Sequence, residues 1–342
     1  MKIAINGFGR IGRVVARQLL SNPELKSKLE LVAINDLGDS ASSAFSFKYD
    51  STHGKFPQEV NSEKDSITIG GHKINYISCP SPEELPWAKL GVDLVLECTG
   101  RYTTGATANA HIKAGAKKVI ISAPGKEIDA TIVMGVNHTD YDPAKHNILS
   151  NASCTTNCLA PLVHTLHKAF GVQYGLMTTI HSYTSDQRIL DNAHSDPRRA
   201  RTAATNMIPT TTGAAAAVGL VIPELNGKLD GFSVRVPTPN VSLTDFVGEL
   251  SQEVTIEDVN NAFRKAAESN LKGIMTVCDL PLVSSDFNGN PYSSIIDSSC
   301  TKVTGKNGSS KGSMVKVYSW YDNETGFSNR MLELATLIGS KL

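Results

Sequence analysis

Apolar residues along the first half of the chain come in short runs that alternate with helix-spaced stripes. Residues 2–6 read as a buried strand, and residues 10–20 follow with Ile11, Val14, Val15 and Leu19 at helical spacing. Residues 29–35 form a second apolar run, and residues 66–77 a strand pair turning at Gly70-Gly71. Residues 92–97, 118–122 and 131–134 are further strands, with a small-residue helix over 107–114 between the first two. Strands separated by helices predict a parallel sheet with right-handed crossovers.

The pattern then changes. Residues 155–170 predict a long helix, followed by strands over 172–180, 232–236, 241–250, 293–296 and 314–321. The last alternates, with Val315, Val317 and Ser319 on one face and Lys316, Tyr318 and Trp320 on the other. Thr255 with Asp258 is a capping box for a helix whose stripe is Val259, Ala262, Phe263, Ala266 and Ala267. Phe327, Met331, Leu334, Ala335 and Ile338 give a final amphipathic helix, and residues 307–312 an exposed turn. The fold class expected is α/β in the first half, joined to an α+β half with a mostly antiparallel sheet. The boundaries expected are residues 1–152, 153–321 and a C-terminal helix over 322–342 that returns to the first domain.

Composition narrows the function classes. The 342 residues carry 33 Lys plus Arg against 33 Asp plus Glu, so no net positive charge favours nucleic acid or an anionic membrane. With 40% hydrophobic and 19% charged residues the chain has the makeup of a globular protein. No apolar stretch approaches the ~20 residues of a spanning helix, and the first residues lack the apolar core of a signal peptide. Six cysteines in this length are no disulfide framework, so a reducing, cytoplasmic setting is expected.

Three constellations carry chemistry. Gly7-Phe8-Gly9-Arg10-Ile11-Gly12 fits G-x-G-x-x-G between a strand and a helix, the context in which backbone N–H groups approach a pyrophosphate. Asp36 ends the second strand, where a carboxylate accepts from both ribose hydroxyls and repels a 2′-phosphate, favouring NAD over NADP. Second, Cys154 falls in the first turn of the long helix, where the dipole is expected to lower a thiol's pKa. Nine histidines compete to be its base; His181 is attractive at the end of an apolar strand, whereas His164 and His167 lie too far along Cys154's own helix. Cys158, one turn on, has no matching Cys/His pair for a metal site and is expected to pack. Third, Arg188, Arg198, Arg199 and Arg201 precede Thr210-Thr211-Thr212-Gly213, which is expected to open an Ala-rich helix, and Arg235 interrupts an apolar strand. Arginine forks and helix-start N–H groups suit phosphate. Together these suggest a thiolate attacking an aldehyde, hydride passing to NAD, and an acyl group released to a nucleophile; if that nucleophile is phosphate, two anion sites are needed.

On these residues the chain resembles a phosphorylating glyceraldehyde-3-phosphate dehydrogenase of type I over essentially its whole length. The matching stretches are 5–12, 48–54, 98–102, 150–161, 181–187, 208–215, 235–241 and 320–324, with Ser153-Cys154-Thr155-Thr156-Asn157-Cys158 the most specific. The resemblance implies an N-terminal Rossmann domain and a catalytic domain, with Cys154 as nucleophile and His181 as its activator. It implies that Thr184 and Arg235 hold the substrate phosphate and that Ser153, Thr155, Thr212 and Gly213 hold the attacking one, with Arg199 near these anions. It implies NAD contacts from Gly7, Gly9, Arg10, Ile11, Gly12, Asp36, Ser122 and Asn323, and a homotetramer in which residues 183–205 line a neighbour's cofactor groove. Four departures stand out: Thr325 and Phe327 in the Asn323–Ser328 run, Pro80 for an arginine near the adenine ribose, Asn192-Ala193 for Leu-Pro, and Pro197 before the arginines. Asn192-Ala193 alone resembles the small polar pair of dual-cofactor plastid forms, whereas Asp36-Leu37 and Pro80 point the other way, which implies NAD strongly preferred with room for weak NADP use. Erythrose-4-phosphate dehydrogenase, a sister family that hydrolyses its thioester, is the alternative; Tyr183-Thr184 argues against it. A surface-binding role is secondary, since no export signal is evident and the catalytic residues are intact.

Overall fold

The computed structural model describes residues 1–305 and 309–342, which form two compact units. The first comprises Met1–Ile132, His138–Ser153 and Ser328–Leu342. Its strands are β1 (Lys2–Asn6), β2 (Glu30–Asn35), β3 (Tyr49–Asp50), β4 (Gly54–Lys55), β5 (Val60–Glu63), β6 (Ser66–Ile69), β7 (His72–Ile77), β8 (Leu94–Glu97), β9 (Lys118–Ile121), β10 (Ala130–Thr131) and β11 (Ile148–Ser150). Nine of them form one sheet in the order β10-β11-β9-β8-β1-β2-β7-β6-β5. Pairing is parallel from β10 to β7, and the β5-β6-β7 edge is antiparallel. Ile3, Ala4 and Ile5 of β1 are wholly buried, as a strand covered on both faces requires. The helices are α1 (Arg10–Ser21), α2 (Pro23–Lys28), α3 (Ser40–Lys48), α4 (Trp87–Leu90) and α5 (Gly105–Lys113). The chain passes from β1 to β2 on one side and, after β7, crosses back to place β8 on the other side of β1, which opens a crevice at the carboxyl ends of these strands.

The second unit comprises Val133–Asn137 and Cys154–Phe327. Its sheet runs β13 (Ile208–Thr211), β14 (Leu229–Val236), β12 (Val172–Ser182), β15 (Ser242–Val254), β18 (Gly312–Tyr321), β17 (Ser294–Thr304) and β16 (Met275–Cys278). Pairing is antiparallel except between β12 and β14 and between β16 and β17. Its helices are α6 (Cys154–Phe170), α7 (Ala214–Val221) and α8 (Ile256–Glu268). The Thr255/Asp258 capping box of α8 is formed in both directions. Along β12 the side chains of Met177, Thr179 and His181 are buried while Tyr174 and Leu176 are exposed, so strand alternation carries His181 inward. The last helix, α9 (Thr325–Gly339), contributes its first three residues to this unit and Ser328 onward to the other.

Three expectations need correction. The strand over 131–134 stops at Thr131, because Gly135 takes a positive φ and Asn137 turns back to accept from the Val133 N–H at 2.8 Å. Thr210 and Thr211 do not open a helix; they pair with Ser233 and Phe232 in β13, which suits β-branched residues, and α7 starts at Ala214. The exposed turn over 307–312 lies partly outside the described residues, and Gly312 already belongs to β18.

Candidate active site

In the first unit the glycine turn shows why each glycine is needed. Gly7 has φ +93°, and a Cβ there would lie 2.7 Å from the Thr99 backbone nitrogen. A Cβ on Gly12 would lie 2.1 Å from the Gly7 carbonyl oxygen, so this glycine lets α1 pack against β1. A Cβ on Gly9 would meet nothing within 4 Å. That space is the cradle a dinucleotide backbone needs, and Gly9 caps α1 with no side-chain acceptor. Gly7, Gly9 and Asp36 line a cleft of about 320 Å³ together with Asn6, Pro80 and Thr99. Asp36 accepts from the Phe8 N–H at 2.6 Å and the Gly38 N–H at 3.1 Å, which fixes its carboxylate at the cleft. These residues fit NAD: open backbone for the pyrophosphate and a placed carboxylate for a ribose.

The other residues implicated in NAD binding occupy different positions. Arg10 and Ile11 open α1 but do not line this cleft, and the Arg10 guanidinium is paired with Asp50 at 2.6 Å. Ser122 follows β9; its N–H donates to the Glu97 carbonyl at 2.9 Å, and its hydroxyl bonds the Cys98 thiol. Asn323 lies in the second unit, where its Oδ1 accepts from Ser182 Oγ at 2.9 Å and Ser242 Oγ at 3.0 Å.

In the second unit three elements meet. Cys154 is the first residue of α6, His181 lies near the end of β12, and Arg235 is the parallel register partner of His181 on β14. Cys154 Sγ lies 3.4 Å from His181 Nε2. His181 Nδ1 lies 2.7 Å from the Ser182 carbonyl oxygen and 2.8 Å from Arg235 Nη1, which itself donates to that carbonyl at 3.1 Å. In the tautomer with the proton on Nδ1, the two lone pairs of that carbonyl accept from both groups, and Nε2 is the nitrogen that can take the thiol proton.

Burial pushes the Cys154 thiol up, opposed by the Arg235 charge and by hydrogen bonds from Thr155. The expected lowering counted the helix end and a His partner, and burial of the thiol acts the other way. Burial, then the Arg235 charge, pushes His181 down to about 3. The shift favours the neutral imidazole, the form that can accept a proton.

Arg235 itself has no carboxylate partner among the described residues, and its buried Nε has no hydrogen-bond partner. A largely buried cation in this condition can take an anion as its partner. The remaining anion candidates are differently committed. Arg199 pairs with Asp186 at 2.7 Å and donates to Thr210 Oγ1 at 2.8 Å. Thr184 is held by Gln187, whose Oε1 accepts from its N–H at 2.7 Å and its hydroxyl at 3.3 Å. Thr212 Oγ1 accepts from the Ala214 N–H at 3.2 Å, and a Cβ on Gly213 would meet open space. Ser153 immediately precedes α6, after Ala152 in a left-handed turn with φ +56°. Cys158 packs, its Sγ 3.3 Å from Ser319 Oγ, with burial pushing the thiol up to about 11.

Sequence reasoning overlooked Tyr321. Its hydroxyl lies 2.8 Å from both Thr155 Oγ1 and Thr179 Oγ1, and its ring stands edge-on to His181 with centroids 6.0 Å apart. The alternation of Val315, Val317 and Ser319 already places residue 321 on the buried face, so the signal was present.

Comparison with known proteins agrees across the chain. Residues 1–105 match the family described as glyceraldehyde 3-phosphate dehydrogenase, NAD binding domain, and residues 153–323 its C-terminal domain. The chain is 55% identical over 341 residues to a glyceraldehyde-3-phosphate dehydrogenase of Geobacillus stearothermophilus, covering 100% of this chain and 99% of the relative. It is 56% identical over 340 residues to glyceraldehyde-3-phosphate dehydrogenase 1 of Bacillus cereus, covering 99% of each. It is 55% identical over 339 residues to the plasmid-borne enzyme of Cupriavidus necator, covering 99% and 98%.

Proposed function

The chain belongs to the glyceraldehyde-3-phosphate dehydrogenase family and carries its NAD-binding domain, and on that premise we propose that it oxidises D-glyceraldehyde 3-phosphate to 1,3-bisphosphoglycerate with NAD and inorganic phosphate, as the phosphorylating enzyme of glycolysis and gluconeogenesis. The observation that carries the reading is the Cys154–His181 pair at 3.4 Å with Arg235 beside it. His181 Nε2 takes the thiol proton as Cys154 Sγ attacks the aldehyde carbon, giving a thiohemiacetal. The imidazolium then donates to the developing oxyanion, and returns to base as the carbonyl re-forms. Bound NAD supplies the hydride acceptor that leaves a thioester on Cys154. Phosphate attacks the thioester carbon, and the Cys154 thiolate departs.

The unmatched Arg235 guanidinium, with Thr184, supports a site for the substrate phosphate. Ser153, Thr155, Thr212 and Gly213, with Arg199 near them, are assigned to the attacking phosphate. Asp36 supports preference for NAD over NADP, because a 2′-phosphate would meet its carboxylate. Arg10, Ile11, Ser122 and Asn323 are assigned further cofactor contacts, Asn323 at the nicotinamide amide. The chain is assigned to a cytoplasmic homotetramer. Exposed Tyr174, Leu176 and Phe232 on one sheet face, with Ile189, Leu190 and Met207 in and beyond the arginine loop, support burial against further copies.

NADH formation at 340 nm, with and without inorganic phosphate, tests the reaction. Phosphate-dependent turnover with glyceraldehyde 3-phosphate is expected. Equal turnover without phosphate would mean that water releases the acyl group, as in the sister family.

A further inference from the structure

The carboxyl ends of four neighbouring strands in the first unit are tied by a buried polar network that the reaction itself does not use. Asn6 ends β1, Asn35 ends β2, Glu97 ends β8, and Cys79 lies just beyond β7. Asn6 Nδ2 donates to Glu97 Oε2 at 2.5 Å, and Asn35 Nδ2 donates to Asn6 Oδ1 at 2.7 Å. Asn35 Oδ1 accepts from the Cys79 N–H at 2.9 Å. The other Glu97 oxygen accepts from the Thr99 N–H at 2.7 Å and from the Thr99 hydroxyl.

Behind Glu97 stands His111 of α5, wholly buried, with Nε2 3.0 Å from Glu97 Oε2. Trp87 of α4 donates its indole N–H to His111 Nδ1 at 3.1 Å. An indole nitrogen only donates, so Nδ1 is the acceptor and Nε2–H is the donor toward Glu97. The imidazole is thus fixed in one tautomer, and the carboxylate has all four acceptor positions filled.

The direction of this relay is what matters. Asn6, Asn35, Cys79 and Thr99 line the cofactor cleft, whereas Glu97, His111 and Trp87 lie behind it. The Thr99 backbone is the surface against which Gly7 closes, so a shift of Thr99 displaces the glycine turn. Tyr102, another lining residue, packs edge-on to His111 with ring centroids 6.2 Å apart. A purely structural role would be met as well by apolar side chains, which carry no desolvation cost. A fully satisfied polar network instead specifies one geometry.

We infer that His111, acting through Glu97, is a positioning residue of the cofactor cleft, setting Thr99 and Asn6 where the adenosine half of NAD binds. This rests on the assignment of the cleft to NAD. The test is calorimetric titration of the full chain with NAD and with ADP-ribose, alongside thermal unfolding. His111→Leu is expected to weaken both ligands about tenfold, the scale of a lost hydrogen bond to a charged group. His111→Gln should recover most of that affinity, because one amide offers both a donor to Glu97 and an acceptor to Trp87. Where His111→Leu fails to fold, Trp87→Phe removes the indole donor alone and is expected to weaken binding about threefold. Unchanged affinity in His111→Leu or, where that variant fails to fold, in Trp87→Phe overturns the inference, as does a Gln variant as weak as Leu. Failure of the unmodified chain to bind either ligand overturns the cleft assignment and the inference together.

Discussion

The glycine-turn cleft and the thiol pocket are built by different means. In the cleft, backbone does most of the work: three glycines clear space or permit close approach, and Asp36 is oriented by two main-chain N–H groups. In the pocket, side chains converge from α6, β12 and β14, and burial moves the ionisation of each. A backbone site tolerates substitution only as far as its shape allows. A side-chain site fails when a single functional group is lost, while the surrounding fold persists.

Variants in the pocket should therefore separate activity from folding most sharply. Cys154→Ser is expected to lower turnover by at least about four orders of magnitude, with thermal unfolding and NAD affinity near those of the unmodified chain. His181→Gln should cost roughly a thousandfold in kcat, since a general base is lost while the nucleophile remains. Steady-state assays at 340 nm beside thermal unfolding check both; residual activity within tenfold in either variant would break the contrast.

In the cleft, Gly12 and Gly9 should behave as opposites. Gly12→Ala drives a methyl to 2.1 Å from the Gly7 carbonyl oxygen. It should destabilise the chain by about 2–3 kcal/mol in denaturant unfolding, as overpacking does. Gly9→Ala meets no protein atom and should leave unfolding unchanged, yet weaken NAD about tenfold by occupying the cradle. A stability loss in Gly9→Ala equal to that in Gly12→Ala would erase the distinction.

The smallest effect concerns the support of the glycine turn. Asp50 pairs with Arg10 of α1 and accepts from the Thr52 and His53 N–H groups at 2.8 and 2.9 Å. Burial alone would raise its pKa, but these hydrogen bonds, then Arg10, lower it to about 2 from 3.8. A depressed folded pKa adds stability that is present above pH 4 and is lost as pH falls toward 2. Asp50→Asn should thus cost about 1–2 kcal/mol at pH 7 and little near pH 2, by urea unfolding across that range.

These two regions also differ in how much of them a sequence displays. The glycine turn is contiguous, so strand, glycines and helix are legible within residues 2–20, and Asp36 ends the next run of apolar residues. The thiol pocket joins residues 154, 181, 235 and 321, and only the sheet makes neighbours of them. Cys154 was legible by its place at a helix start, and His181 by its place at a strand end. The pairing of His181 with Arg235 depends on parallel register between β12 and β14, which no local pattern contains. Thr210 and Thr211 were misread because hydroxyl residues before an Ala-rich run signal a helix start as readily as a strand edge. The lowered thiol pKa was expected from the helix end, while burial, a tertiary property, acts the other way.

The central claim is that Cys154 carries the acyl group between oxidation and release to phosphate. Intact-mass and peptide mass spectrometry of the chain mixed with NAD and glyceraldehyde 3-phosphate, with phosphate left out, tests it directly. The account predicts an acyl adduct on the peptide containing Cys154 that disappears when phosphate is added. NADH formed in the first turnover with Cys154 unmodified, or an adduct that phosphate does not discharge, would contradict it.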